Sequence, residues 1–197
     1  MLKIAITGNI AAGKTTVEQM LKNLGFLVFD SDEISHNITN YDKNIISKII
    51  AEFNGFDISE NGKIIRKKLS KIVFDSPALL KKLEDIIHPE VKNKIIDIFN
   101  NNKSENVVFV SVPLLFEKGF EKLFDKVIFI SANDNLRFKR LKLRSGYDDE
   151  HAKKRLNSQW NQELKIKYAD YVLANNSDIE SLEIQLKEVL KQLKLIS

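Results

Sequence analysis

The 197 residues are 43% hydrophobic and 29% charged, with a formal net charge of +4, values typical of a globular protein that can bind polyanions. The chain has no cysteine, which excludes disulfides, thiolate metal sites and thiol nucleophiles and fits a reducing compartment such as the cytoplasm. The first residues hold too short an apolar run for a signal peptide, and no segment approaches the ~18 apolar residues of a membrane helix, so neither export nor membrane insertion is expected.

The first predicted elements are a strand, a helix and a second strand. Residues 2–7 form a short apolar run that predicts a buried strand. After a turn rich in glycine, the apolar residues from Val17 to Leu24 recur at helical spacing, and Gly25 is a typical helix end. Residues 26–29 then predict the second strand.

A long stretch, residues 42–100, separates the second predicted strand from the third. It contains several helical patterns and no convincing strand, and it is too long for a simple crossover. The apolar residues from Ile45 to Phe53 mark one helix, and Ser76-Pro77 is a typical start of another. Pro89 restricts His88 to extended backbone and favours a break in that helix. The stretch is therefore predicted to be an inserted helical subdomain.

Three further strands and a last helix complete the predicted core. The apolar runs at residues 107–112 and 127–130 are typical of buried parallel strands, and residues 171–174 form a weaker candidate. Ser177 and Glu180 form a candidate capping box before a final amphipathic helix. The alternation of strands and helices predicts an α/β fold with a five-stranded, mainly parallel sheet flanked by helices.

The turn after the first strand carries the strongest chemical signal. Residues 8–15, GNIAAGKT, fit the G-x-x-x-x-G-K-[ST] phosphate loop at every required position, between a strand and a helix. Such a loop turns backbone N–H groups towards phosphates, and the helix N-terminus adds partial positive charge. Lys14 is expected to neutralise the β- and γ-phosphates of a nucleotide, and the Thr15 hydroxyl is the expected Mg²⁺ ligand.

Two carboxylates follow the second strand, in Asp30-Ser31-Asp32. Ligands of parallel α/β sheets bind at the carboxyl ends of the strands, so Asp32 is a candidate general base for an attacking hydroxyl. A structural alternative is that Asp30 or Asp32 only caps the helix that begins near Glu33.

A basic stretch lies between Arg137 and Arg155, with eight cations against three acids. A solvated helix face and a lid that contacts phosphates are both compatible with this pattern. Aromatic residues within it are limited to Phe138 and Tyr147, which is weak support for nucleic-acid binding. Trp160, just beyond it, is expected to be a packing residue.

Further segments extend the evidence beyond the phosphate loop. They include Arg66 with Leu69 and the strings IAITGNIAAGKTT, FDSD, VFDSP, LEDIIHPEV, VSVPLLFEKGF, RFKRLKLRSGY, RLNSQW and YADYVLAN. Through this ordered series nearly the whole chain resembles the dephospho-CoA kinase family.

The resemblance implies the activity and the organisation of the enzyme. The activity is the ATP-dependent phosphorylation of the 3′-hydroxyl of dephospho-CoA, the last step of coenzyme A biosynthesis, with Mg²⁺. The organisation is one P-loop kinase domain with its core at residues 1–41, 101–133 and 165–197. The insertion at residues 42–100 would bind the acceptor, and residues 134–164 would form a helical lid.

The resemblance also implies roles for individual residues. Asp32 would be the general base, Lys14 the phosphate-binding cation, Arg140 the lid cation and Asn175 a neighbour of the adenine. The other nucleotide-binding residues would be Gly8, Asn9, Ile10, Ala11, Ala12, Gly13, Thr15, Thr16 and Arg144. The acceptor-binding residues would be Asp32, Arg66, His88, Pro89 and Leu114.

Four positions depart from the common family pattern. Asn9 and Ala11 stand where relatives usually have glycine, His36 stands in place of an arginine, and Arg137 replaces a frequent glutamine. Asn tolerates left-handed backbone, whereas Ala11 requires a backbone angle compatible with a Cβ atom. A neutral His36 does not replace a permanent charge, and Arg137 is the candidate to compensate for it.

Three other functions remain open on the residues alone. A kinase for a nucleoside monophosphate or another small hydroxyl compound would use the same loop and lid. A nucleotide switch acting on a protein partner would also have the loop, although no guanine-reading N-K-x-D string is present. The third is nucleic-acid binding through the basic stretch. The favoured prediction has a small-molecule substrate, no nucleic-acid or membrane partner, and a monomeric state.

Overall fold

A computed structural model describes all 197 residues. The strands are β1 (Leu2–Gly8), β2 (Val28–Asp30), β3 (Ser59–Glu60), β4 (Lys63–Ile64), β5 (Val107–Ser111), β6 (Lys126–Ser131) and β7 (Tyr171–Ala174). The helices are α1 (Lys14–Asn23), α2 (Ser31–Tyr41), α3 (Lys43–Glu52), α4 (Arg66–Phe74), α5 (Pro77–Asn101), α6 (Asp134–Ser145), α7 (Asp149–Asn157), α8 (Gln162–Ile166) and α9 (Ile179–Gln192). The chain divides into two compact units, residues 1–30 with 99–197, and residues 31–98.

The first unit is built on a five-stranded sheet in the order β2-β5-β1-β6-β7. All four strand pairs are parallel, with β1 in the centre, which confirms the predicted fold class. Ile4, Ala5 and Ile6 of β1 are completely buried, as are Phe109 of β5 and Phe129 of β6. This burial explains why the strands appear in the sequence as continuous apolar runs without alternation.

Helices α1 and α9 bury their apolar stripes against this sheet. The stripe of α1 contains Val17 and Leu21, and that of α9 contains Leu182, Leu186 and Leu190, all in one core cluster. The predicted capping box of α9 is wrong. The N-cap is Asp178, one position after Ser177, and its carboxylate accepts the Ser181 N–H at 2.8 Å. This bond satisfies a backbone N–H group of the first turn, as an N-cap side chain does.

The second unit contains α2, α3, α4, most of α5 and a small hairpin. The prediction that this stretch has no strand is wrong, because β3 and β4 pair antiparallel. Asn61 and Gly62 connect them with φ of 50° and 74°, the geometry that Asn-Gly favours in two-residue hairpin turns. Strands of two residues are too short to show any hydrophobic period.

The break predicted at His88 and Pro89 is also wrong, because α5 runs through Pro89 to Asn101. Proline removes one backbone hydrogen bond within a helix and disfavours helical backbone before it. Ile87, Val91 and Ile95 are buried along one side of the helix and outweigh that local cost through tertiary packing.

None of the nine helices has the combination of length and apolar composition needed to cross a bilayer.

Candidate active site

The phosphate loop (residues 8–15) connects the end of β1 to the start of α1. Two glycines are required by its close packing. A Cβ atom on Gly8 would lie 2.6 Å from the Ile130 carbonyl oxygen, and one on Gly13 would lie 2.0 Å from Asn175 Nδ2. Gly13 also has a φ of 105°, which side chains rarely adopt. The loop therefore depends on these two glycines for both space and backbone shape.

Ala11 adopts left-handed backbone in this loop, with a φ of 62°. The sequence expectation of an angle compatible with a Cβ atom is wrong. An L-residue in this region costs roughly 1–2 kcal/mol, so other contacts must hold the loop in shape. Asn9, which also stands in place of a glycine, is buried, and its backbone carbonyl oxygen accepts the Ala12 N–H at 3.0 Å.

Lys14 is the first residue of α1 and is positioned by a buried carboxylate that the sequence analysis missed. Glu18 lies one turn further along α1, and its Oε1 is 3.6 Å from Lys14 Nζ. The same oxygen accepts the Ser111 hydroxyl at 2.6 Å, at the end of β5. The i,i+4 spacing of Lys14 and Glu18 was the available signal, because such residues share a helix face. Thr15 and Thr16 follow Lys14, and the Thr15 side chain is exposed.

Asn175 bridges the phosphate loop and helix α6. Its Nδ2 donates to the Ala12 carbonyl at 2.8 Å, while its backbone and side-chain oxygens accept Arg140 Nη1 at 3.2 Å and Nη2 at 3.4 Å. A cavity of about 290 Å³ opens beside them, lined by Gly13, Thr16, Arg140, Asn175, Ser177, Asp178 and Ile179. The structure thus brings together the loop, Arg140 and Asn175. Arg144, one turn beyond Arg140, is exposed.

A second set of contacts holds the loop from α6 and from the segment between α7 and α8. Gln159 Oε1 accepts the Ile10 N–H at 2.7 Å, and Arg137 Nε donates to the Ile10 carbonyl at 3.1 Å. Asn9 Nδ2 donates to the Trp160 carbonyl at 3.0 Å. The expectation that Trp160 packs in the core is wrong, because the residue is 44% exposed and is held by its backbone.

A buried ion pair supports this segment. Lys165 Nζ lies 2.5 Å from Glu117 Oε1, and Lys165 is completely buried. Burial lowers the pKa of Lys165 and the neighbouring charge of Arg137 lowers it further, while Glu117 acts in the opposite direction. Glu117 Oε1 also accepts the Trp160 N–H at 3.2 Å. Leu114, predicted to contact the acceptor, is half-buried in the same segment as Glu117, after β5.

The remaining predicted residues lie in the second unit. Asp32 is exposed in the first turn of α2, and Arg66 begins α4, where its Nη1 donates to Thr39 Oγ1 at 3.2 Å. His88 is half-buried and Pro89 exposed in the middle of α5. These four of the five predicted acceptor residues therefore lie on three helices of one unit.

Comparison with known proteins identifies relatives over nearly the whole chain. Residues 2–181 match the family described as dephospho-CoA kinase. The dephospho-CoA kinase of Fusobacterium nucleatum is 39% identical over 179 residues, 91% of this chain and 92% of that protein. A Thermus thermophilus crystal structure has a TM-score of 0.82 at 33% identity, covering 98% and 97% of the two chains. Dephospho-CoA kinase from Campylobacter jejuni has a TM-score of 0.74 at 33% identity, covering 97% and 96%.

Proposed function

The chain belongs to the dephospho-CoA kinase family, and from that premise we propose how its residues transfer the γ-phosphoryl group of ATP to the 3′-hydroxyl of dephospho-CoA. The family membership confirms the resemblance and the activity predicted from the sequence. The products are coenzyme A and ADP. The observation that carries the residue assignments is the phosphate loop, with Lys14 at its end and Arg140 and Asn175 beside it.

The nucleotide binds along the loop and the cavity next to it. Backbone N–H groups of the loop and the N-terminus of α1 receive the phosphates. The cavity between Gly13, Asn175 and Ile179 receives the adenosine, since a site of about 290 Å³ with polar and apolar walls suits such a group. Arg140 borders the same cavity and so can reach a bound nucleotide.

Lys14 neutralises charge on the β- and γ-phosphates. Its ammonium group lies 3.6 Å from Glu18 Oε1, which also accepts the Ser111 hydroxyl, and the Lys14 side chain is only 16% exposed. Partial burial strengthens the attraction between the ammonium group and phosphate oxygens, because solvent screening is reduced.

The residues at the start of α1 fit a magnesium ion. Thr15 presents a hydroxyl oxygen in the first turn, a hard donor of the type that Mg²⁺ accepts together with phosphate oxygens and water. When bound, the ion neutralises charge that develops on the β- and γ-phosphate oxygens.

Asp32 accepts the proton of the attacking 3′-hydroxyl. It follows β2 by two residues and is exposed in the first turn of α2, and a carboxylate is one of the side chains that accept protons in general base catalysis. Arg66, His88 and Pro89 bind the acceptor, with Arg66 suited to its phosphates. Leu114 contributes apolar contact.

Residues 134–164 act as the lid over the transferred group, residues 42–100 as the acceptor-binding insertion, and the rest as the nucleotide core. Arg140 and Arg144 lie one helical turn apart on α6, and both are available to phosphate oxygens in the closed state. The enzyme works as a cytoplasmic monomer.

The test is ADP production by the purified protein with ATP and Mg²⁺. The expected result is rapid turnover with dephospho-CoA and little with nucleoside monophosphates, shikimate or simple alcohols. Identification of the product as 3′-phosphorylated coenzyme A by mass spectrometry and phosphorus NMR completes the test. Equal turnover with a nucleoside monophosphate would contradict the proposal.

A further inference from the structure

The backbone of Ile10 is held at both its N–H and its carbonyl group by side chains outside the phosphate loop. Gln159 Oε1 accepts its N–H at 2.7 Å, and Arg137 Nε donates to its carbonyl at 3.1 Å. The two side chains, which we call the Ile10 clamp, are separated by 22 positions in the sequence and meet only in the folded protein. They fix both the donor and the acceptor of one residue in the middle of the loop.

The clamp is itself anchored. Trp160, next to Gln159, is held at its N–H by Glu117 and at its carbonyl by Asn9. Glu117 is fixed in turn by its ion pair with the completely buried Lys165. A bond to Gln159 therefore connects the loop to a segment that is linked through Glu117 to the completely buried Lys165.

Arg137 is placed as firmly as Gln159. It is only 4% exposed, and its Nη1 donates to Asp134 Oδ1 at 2.7 Å. The Asp134 side chain is 81% exposed, so water screens that ion pair. The bond from Nε to the Ile10 carbonyl is the contact that links this buried guanidinium to the loop.

The loop needs such support at this point. Ala11, the next residue, has left-handed backbone with a φ of 62°, a conformation that alanine disfavours. Gln159 restrains the Asn9–Ile10 peptide through its N–H, and Arg137 restrains the Ile10–Ala11 peptide through its carbonyl. Without these bonds the two peptides could rotate and change the direction of the N–H groups of the loop. Fixing these dipoles before the ligand arrives reduces the ordering cost of binding.

We propose that Arg137 and Gln159 are positioning residues that hold the backbone of Ile10 in the conformation that binds the nucleotide phosphates. By holding Ile10 they also hold the left-handed backbone of Ala11. This inference rests on the proposed nucleotide site, and it adds two residues that do not touch the reacting atoms. Their loss should raise the Michaelis constant for ATP more than that for dephospho-CoA.

The experiment compares Gln159→Leu and Arg137→Leu with the wild type. Gln159→Leu removes the acceptor of the Ile10 N–H and predicts faster amide exchange at Ile10. Loss of either hydrogen bond predicts a KM for ATP raised about 3- to 10-fold, with KM for dephospho-CoA within about twofold. Arg137→Gln can still donate to the Ile10 carbonyl and should restore part of the effect. Lys139→Gln, an exposed position on the same helix, and Asp134→Asn should match the wild type.

Two results would overturn the inference. One is unchanged amide exchange at Ile10 together with an unchanged KM for ATP in Gln159→Leu. The Gln159 side chain is half-buried, so this variant is expected to fold. The other is an equal rise of both Michaelis constants together with a lower melting temperature, which would mark a general structural role. Amide exchange is measured without substrate, so a failure of the proposed reaction in the wild type would be recognised separately.

Discussion

Substitution of Gly13 by alanine should destabilise the protein through the close approach of Asn175. The new Cβ atom would lie 2.0 Å from Asn175 Nδ2, so the amide would have to move. That movement breaks its 2.8 Å bond to the Ala12 carbonyl and leaves buried polar groups without partners, at about 1–3 kcal/mol. The φ of 105° adds backbone strain of about 1–2 kcal/mol. The expected loss is therefore about 2–5 kcal/mol.

Thermal or urea unfolding measures this loss, with Gly25→Ala as the matched control. Gly25 also has a positive φ, 86°, but a Cβ atom there would meet nothing within 4 Å, so only strain of about 1–2 kcal/mol is expected. For a chain of this size each kcal/mol lowers Tm by about 2–4 °C. In Gly13→Ala combined with Asn175→Ala, the loss should be smaller than the sum of the single losses. Equal destabilisation by Gly13→Ala and Gly25→Ala would refute the reasoning.

Four further predictions concern charged side chains. Lys14→Ala should leave the fold intact and nearly abolish turnover, and wild-type turnover would exclude its phosphate role. Asp32→Asn should bind ATP as the wild type does and lose about 10²-fold in kcat, whereas a loss under threefold would make Asp32 structural. Arg140→Lys should retain more kcat than Arg140→Ala at saturating substrates, since an ammonium lacks the planar fork of arginine; equal, unchanged values would exclude a lid role. Lys165→Met should lower the free energy of unfolding by about 3–5 kcal/mol, because it leaves the Glu117 carboxylate without its ion-pair partner. Adding Glu117→Gln should recover much of that stability, and the absence of recovery would show that the unpaired carboxylate is not the cause.

The sheet could be predicted from the sequence because burial on both faces leaves a direct trace. Residues 107–110 of β5 and 127–130 of β6 are all apolar, and β7 was predicted with the bounds that the structure has. Pro89 and the hairpin at Gly62 could not be predicted in the same way. A local rule disfavours helix before proline, and only the burial of residues on either side of it, such as Val91, overrides that rule.

The candidate site also contains both kinds of residue, those that a local motif predicts and those whose roles depend on tertiary contacts. The phosphate loop is a contiguous motif, so its residues could be named from the sequence. Glu18 was within reach because it follows Lys14 by one helical turn, yet its burial depends on Ser111, more than ninety residues later. Gln159 and Glu117 lie in strings that match the family, RLNSQW and VSVPLLFEKGF, but the strings do not indicate what either side chain contacts. Their roles arise from tertiary contacts with Ile10 and Lys165, which no short window of sequence contains.

The central position of β1 also determines the order in which the protein can assemble on the ribosome. Leu2 pairs with Val107 and Gly8 with Ile130, so the first strand to be synthesised must wait for both of its neighbours. Until then, the apolar segment around Ile4 is exposed on the nascent chain, where it can associate with other chains or with a chaperone. Contacts between such distant residues slow folding. A fragment that ends before Ser131 should therefore remain aggregation-prone, and release of the complete β6 should mark the first point at which β1 can pair with both of its neighbours.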